Sequence, residues 1–336
     1  MIYDKIYKIV KKGEKMKKNK LLFVILFLLI ILVVIIVVIN NRQNNNNNTN
    51  NTENTEANTT LNQVDNSNTT NEVVNQVANQ TTNEVAKTTA KEEFKSDLDR
   101  CTDPKYKIGE KELRIPILIY HAFQTPLPPN EGVYALFSCQ EDFEDNVKTI
   151  QDAGFTFITL EDIYKYKNGE IGLPEKNVCI TMDDGWIGEY EEAYPILQKY
   201  QIPATIFIVD QLVGTENYFT WEQAKEMYDS NLVKIYAHGY RHVDYGNADK
   251  ATLQDAYETT HKHIEEHLGA KVQKIMAYPS GSSTENSIAW LKEIGFEVQV
   301  QTKYGTVNKS STLDLTDLGR VRAERPSSKT ILNAIS

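Results

Sequence analysis

The chain has 336 residues, of which 40% are hydrophobic and 24% charged, with a formal net charge of −10 and a length that predicts about two domains. That charge is unevenly placed: residues 1–20 hold eight Lys against Asp4 and Glu14 (net +6), residues 21–92 hold three basic and six acidic groups (net −3), and residues 93–336 carry the remaining −13. A segment this acidic repels phosphate backbones, which argues against nucleic-acid binding, and three cysteines are too few for a disulfide framework in a chain of this size.

Residues 21–39 read LLFVILFLLIILVVIIVVI, without a charge or a polar group. As a helix this run would span about 28 Å, close to the ~30 Å hydrocarbon core of a bilayer. Lys11, Lys12, Lys15, Lys17, Lys18 and Lys20 precede it. The positive-inside rule keeps residues 1–20 in the cytoplasm and exports the remainder of the chain. A cleaved signal peptide would have a shorter apolar core and an A-x-A-like site. Here Val37, Val38 and Ile39 run straight into Asn40, so the expectation is an uncleaved single-pass anchor.

Residues 40–93 contain eighteen Asn and no aromatic residue. Such composition buries too little apolar surface to offset chain entropy, so residues 40–96 are expected to form a disordered linker. Asn recurs every fourth position over residues 71–87, which would suit a transient helix, but a flexible tether fits better. A coil of ~54 residues has ends roughly 40 Å apart.

Residues 97–336 carry alternating patterns of a folded domain. Short β-type runs occur at 115–120, 155–159, 178–182, 204–209, 233–237, 274–278, 296–300 and near 320–323. Helical patterns lie between most of them. One begins at Ser138 with Glu141 three residues on, a capping-box signature, and is expected to bury Phe143, Val147 and Ile150. Others cover 188–200, 221–230, 250–268 and 284–294. The alternation predicts an α/β fold with a mostly parallel sheet, best met by an irregular (β/α) barrel. An open doubly wound sheet is the alternative. Cys101 and Cys139 could pair after export, though packing or free thiols suits them better. Cys179 reads as core.

Reactive residues follow four of the strands. His121 follows the first; Asp183, Asp184, Gly185 and Trp186 the third; His238 and His242 the fifth; Pro279, Ser280 and Gly281 the sixth. The C-terminal ends of barrel strands form the active-site face. His238 and His242 have metal-ligand spacing, and two imidazoles plus a carboxylate leave open positions on a Zn²⁺-type ion. His263 and His267 share that spacing but sit in a charged helical run, where a solvated face is expected. Asp183-Asp184 has a plainer reading as a turn or helix cap. If the backbone turns there, as Gly185 permits, one carboxylate can take a metal and the other a proton.

With these residues in place, the chain resembles the polysaccharide deacetylases that share the NodB-homology domain. Their first motif resembles TFDDG, here Thr181 to Gly185, and their second H-[ST]-x-x-H, here His238 to His242. The runs FTWEQAKEMYDSNLVKIYAHGYRH, ATIFIV, IPILIYHAF and AYPSG also look like that family, and the last two like its poly-N-acetylglucosamine deacetylase branch. The resemblance covers roughly residues 114–325. It implies that Asp184, His238 and His242 hold a divalent metal, Zn first and Co or Ni otherwise. It implies Asp183 as general base, His121 as general acid, and a backbone N–H near Ser280 at the oxyanion. Trp186, Tyr240, Tyr278, Pro279, Ser280 and Gly281 are the expected substrate contacts. Trp221 and Tyr236 are expected to pack the barrel.

Two positions depart from the family pattern. Gly239 stands where Ser or Thr is usual, which removes a brace on the histidine loop. Ala277 stands where an arginine usually orients the base, so Arg320 or Arg322 on the last strand is the candidate replacement. The expectation is a membrane-anchored extracellular N-deacetylase of peptidoglycan or poly-N-acetylglucosamine. The alternatives are a non-catalytic glycan-binding wall protein on the same scaffold and a barrel glycosidase, which would need a second carboxylate about 5–10 Å away.

Overall fold

The computed structural model describes residues 95–130 and 132–336. The predicted cytoplasmic segment 1–20, membrane helix 21–39 and almost all of linker 40–96 lie outside the described residues. Among the described residues no helix is long and apolar enough to cross a membrane.

Each of the eight predicted apolar runs forms a strand: β1 (Ile117–Tyr120), β2 (Thr156–Ile158), β3 (Asn177–Asp184), β4 (Ala204–Ile208), β5 (Val233–Ala237), β6 (Ile275–Ala277), β7 (Val298–Tyr304) and β8 (Leu318–Arg322). All their pairings are parallel, in the order β1-β8-β7-β6-β5-β4-β3. Pairing of β1 with β3 closes that ring, which rules out the open doubly wound sheet. The barrel is irregular because β2 stays outside the ring. It pairs with β3 over Asn177–Cys179, below the stretch Thr181–Asp184 that pairs with β4.

Strand residues alternate between two apolar clusters, as the pleat requires. Ile180, Met182, Ile206 and Ile235 join Val147, Leu197, Met227 and Leu253 of the outer helices. Cys179, Phe207, Val300 and Leu318 pack with one another in the other cluster, the barrel interior. Both faces are therefore buried, which explains strands that read as continuous apolar runs.

The outer helices are α1 (Gln140–Asp152), α2 (Leu160–Lys167), α3 (Tyr194–Tyr200), α4 (Trp221–Asp229), α5 (Lys250–Leu268), α6 (Glu285–Glu293) and α7 (Ser328–Ile335). α1 buries Phe143, Val147 and Ile150 as expected, but its N-cap is Cys139 rather than Ser138. The Ser138 hydroxyl instead donates to the carbonyl of Glu324, tying α1 to the chain just after β8. α2 departs from the outer ring. Its Leu160, Ile163 and Tyr166 join the interior cluster, while Glu161 approaches Lys234, Tyr164 donates to Glu297 and Lys167 to the Leu313 carbonyl. It thus closes the N-terminal end of the barrel and leaves the other end open for a site.

All three cysteines are free thiols, and Cys179 is fully buried. The face of α5 around His263 is not simply solvated. His263 Nδ1 lies 2.7 Å from the buried Asp210 carboxylate, and His267 stacks on Trp221 with ring centroids 4.3 Å apart. Trp221 is partly buried against the outer core and Tyr236 is fully enclosed, both as expected.

Candidate active site

The C-terminal ends of β1, β3, β5, β6 and β7 converge on a cavity of about 350 Å³ that contains His121, Asp183, Asp184, His238 and His242. A larger cavity of about 630 Å³ lies at the other end of the barrel, around Arg114 and Lys176, and brings no such cluster together. Both aspartates face the catalytic-end cavity because the backbone turns sharply after Asp183. Asp184 has φ +89° and Gly185 +86°. For a non-glycine residue that conformation costs of order 1–3 kcal/mol, which the surrounding packing must hold in place.

Asp184, His238 and His242 present one ligand atom each within 4.8 Å of one another. Asp184 Oδ1 lies 3.4 Å from the Nε2 of each histidine. That oxygen is buried and has no hydrogen-bond partner, while Oδ2 accepts from Trp186 Nε1 at 3.0 Å. An orphaned carboxylate oxygen aimed at two imidazole nitrogens fits a divalent cation. The histidine geometry agrees. His238 Nδ1 lies 3.0 Å from the Ala277 carbonyl, which can only accept, so Nδ1 carries the proton and Nε2 offers its lone pair to the cluster. Tyr257 donates to the same carbonyl at 3.2 Å and helps fix it.

Asp183 is 1% exposed and Arg320 is fully buried. The guanidinium grips the carboxylate with two parallel bonds, 2.6 Å to Oδ1 and 2.7 Å to Oδ2. Arg320 also donates to the Gln301 carbonyl and the Thr181 hydroxyl, so its own orientation is fixed. Burial alone would raise the Asp183 pKa. The Arg320 charge and its hydrogen bonds override it and hold the carboxyl down at about 2. Asp183 is therefore an oriented carboxylate at neutral pH. Arg322 does not reach it. Arg322 Nε donates to Glu324 Oε2 at 3.2 Å instead.

Glu324 is buried, and its other oxygen lies 2.8 Å from His121 Nδ1. A carboxylate can only accept, so Nδ1 carries hydrogen and Nε2 is left for the cavity. Burial lowers the His121 pKa, but the Glu324 hydrogen bond and the Asp183 and Asp184 charges more than offset it, and the net shift is upward. The imidazolium thus persists to higher pH than that of a free histidine. If turnover uses that proton, activity declines as pH rises through the raised pKa. Glu324→Gln is expected to move this alkaline limb of the pH–rate profile to lower pH; an unmoved limb would break the link.

The profile of the family described as polysaccharide deacetylase matches residues 171–299. The poly-β-1,6-N-acetyl-D-glucosamine N-deacetylase of Staphylococcus aureus is 30% identical over 218 residues, covering 58% of this chain and 74% of that protein. The chain belongs to the polysaccharide deacetylase family. Among solved structures, the Streptococcus pyogenes deacetylase PplD in complex with acetate is 25% identical, with a TM-score of 0.60 over 67% of this chain and 100% of that one. IcaB from Ammonifex degensii is 27% identical, with a TM-score of 0.58 over 66% of this chain and 97% of that one. As a member of this family, the protein is a hydrolase of polysaccharide amide bonds.

Within this deacetylase, neither departure leaves its neighbour unsupported. Arg320 occupies the place beside Asp183 that Ala277 cannot fill. Gly239 has φ +81°, and a Cβ there would lie 2.7 Å from the Tyr245 ring. Its loop is braced by other means: the N–H groups of Asp210 and Gln211 donate to the carbonyls of Gly239 and Tyr240. Gly239→Ser is therefore expected to destabilise the domain by about 1–3 kcal/mol through backbone strain and the Tyr245 clash. Thermal unfolding measures it, and a neutral or stabilising result would contradict this account.

Four expected substrate contacts are not among the residues that line the cavity. Tyr278 is fully buried, donates to Gln299 at 2.6 Å and packs edge-on against Tyr257. Pro279 is buried beside it. Gly281 presses on Thr302, where a Cβ would lie 1.6 Å from Oγ1. Tyr240 packs against the outer core, with the Arg241 guanidinium 5.9 Å from its ring centroid. The outward pleat position of Tyr278 turns it away from the barrel mouth. Trp186 and Ser280 do line the cavity, joined by Leu136, Tyr218 and Tyr304. Those three come from loops or a strand end with no motif. Sequence reasoning also misses Glu324, although its spacing from Arg320 and Arg322 on β8 is a usable signal.

Proposed function

We propose that this chain is a divalent-metal-dependent N-deacetylase of an extracellular N-acetylhexosamine polysaccharide, with poly-N-acetylglucosamine favoured over peptidoglycan by the relatives. The observation that carries it is the Asp183 carboxylate, fixed by Arg320 beside the Asp184–His238–His242 cluster, with His121 in the same cavity. The three clustered residues would hold the cation, Zn²⁺ or else Co²⁺ or Ni²⁺. A bound divalent ion supplies a Lewis acid for the acetyl carbonyl and lowers the pKa of water toward ~7.

The chain's own residues supply the rest. Asp183 accepts the proton of the attacking water, and Arg320 keeps its oxygens aimed while it does so. Protonated His121 gives its Nε2 proton to the departing amine, and Glu324 stabilises the imidazolium before transfer. Ser280 has φ +57°, which turns the backbone at the cavity wall and suits its N–H to an oxyanion. Trp186 holds Asp184 and offers an aromatic wall to the sugar.

Residues 21–39 would anchor the enzyme in the cytoplasmic membrane by one helix, N-terminus inside. The linker 40–96 would carry the catalytic domain into the wall. The test is acetate release from β-1,6- and β-1,4-linked N-acetylglucosamine oligomers and from peptidoglycan. Release that stops on chelation and returns with Zn²⁺ or Co²⁺ is expected. No release from any of them at full metal occupancy would overturn the reading, and chelator-insensitive cleavage of glycosidic bonds would replace it with glycosidase chemistry.

A further inference from the structure

Beside the catalytic cavity lies a second one of about 530 Å³, and Trp186 forms part of the wall of both. The segment Gly132–Ser138 runs between them: Leu136 faces the catalytic cavity, while Tyr134 and Phe137 face the second. Its aromatic wall is continuous. Ring centroids are 5.3 Å apart for Tyr134 and Phe137 and 5.8 Å for Phe137 and Trp186, and the row runs on into the catalytic cavity, where Tyr218 lies 4.8 Å from Trp186. Tyr134 is 46% exposed, so its ring is accessible to a ligand in the cavity.

The polar lining is one-sided. Glu191 and Glu192 contribute two carboxylates, and among the described residues no Lys, Arg or His lines the cavity. Glu191 is exposed. Glu192 is fixed, its two oxygens accepting from Thr125 N at 2.7 Å and Thr125 Oγ1 at 2.8 Å. These are neutral donors, so neither compensates its charge. An aromatic wall recognises the apolar face of a sugar ring. Uncompensated carboxylates lining the same cavity recognise a cation, and N-acetylglucosamine has none.

We infer that this second cavity is a subsite for an amine-bearing hexosamine, a glucosamine unit adjoining the N-acetylated unit in the catalytic cavity. The inference rests on the deacetylase reading of the neighbouring cavity. That reaction converts a neutral acetamide into an amine that is protonated at neutral pH. Each turnover therefore makes the ligand this subsite takes, so the enzyme prefers glycans already partly deacetylated and leaves its products in runs. The attraction is between solvent-accessible charges, so it weakens with salt.

Two measurements on the full-length protein test it, with wild type compared to Glu191→Gln and to Glu191→Gln/Glu192→Gln. The first compares binding of a glucosamine trimer and an N-acetylglucosamine trimer, read by tryptophan fluorescence, which needs no turnover. The second compares kcat/KM for an N-acetylglucosamine pentamer carrying one glucosamine unit and for the fully acetylated pentamer. Wild type is expected to favour the amine-bearing ligand in both by about threefold to tenfold at low salt, the scale of one or two exposed ion pairs. The ratio should fall toward one in the variants and in high salt. No preference in wild type, or one the substitutions leave intact, overturns the subsite. Acetate release without preference removes the subsite alone. Amine-selective, glutamate-dependent binding without release from any oligomer keeps the subsite and removes the deacetylase reading.

Discussion

Asp183→Asn is expected to reduce acetate release by about 10²–10⁴-fold, the usual contribution of a positioned general base. The amide keeps the size of the side chain and one oxygen for Arg320, but it cannot take a proton from water. Asp184, His238 and His242 remain in place, so metal content should be unchanged. The decisive comparison is therefore acetate release against metal stoichiometry in the same preparation. A variant that keeps more than a tenth of wild-type activity at equal metal content would remove Asp183 from the role of base. Loss of the metal itself would make Asp183 part of the ligand set.

Arg320→Met should have the largest effect on stability. The substitution leaves the Asp183 carboxylate buried without its countercharge, and breaking such a pair on one side costs about 3–5 kcal/mol. For a domain of this size that lowers the unfolding midpoint by roughly 6–20 °C. Lysine would not serve, because one ammonium cannot reproduce two parallel bonds. The same pair governs acid stability. Asp183 has a folded-state pKa of about 2, below the ordinary carboxylate value of about 3.9. Its contribution is full above pH ~4 and is lost as pH falls toward 2. Adding Asp183→Asn to Arg320→Met should recover part of the loss, since the stranded charge is gone. Strict additivity of the two substitutions in thermal unfolding would show that they do not interact.

Much of the barrel was legible because its determinants are local. The eight apolar runs became eight strands, since a strand buried on both faces needs a continuous apolar segment whatever its partners are. The positions of Asp183, Asp184, His121 and His238 were legible for a related reason. Reactive residues at the ends of buried strands have few structural uses, and parallel strands bring those ends together. Tyr278 misled because it also sits just past a strand, but its place in the pleat points outward. Ser138 misled because a good capping sequence met a competing acceptor, the Glu324 carbonyl, that is remote in the chain. The helix α2 gave no sign that it would cross the barrel's closed end, since its apolar stripe suits either location.

The sequence by itself determined which segments become strands, which strand ends carry chemistry, and that Ala277 requires an arginine from elsewhere. Only the tertiary structure decided which arginine. Arg320 meets Asp183 across 137 residues of sequence and Glu324 meets His121 across 203. The cause is the closure of the ring: pairing of β8 with β1 and of β1 with β3 puts the last strand next to the first and only one strand from the third. A continuous apolar run specifies each strand separately, while these contacts depend on how the strands are ordered around the barrel, which no local pattern encodes.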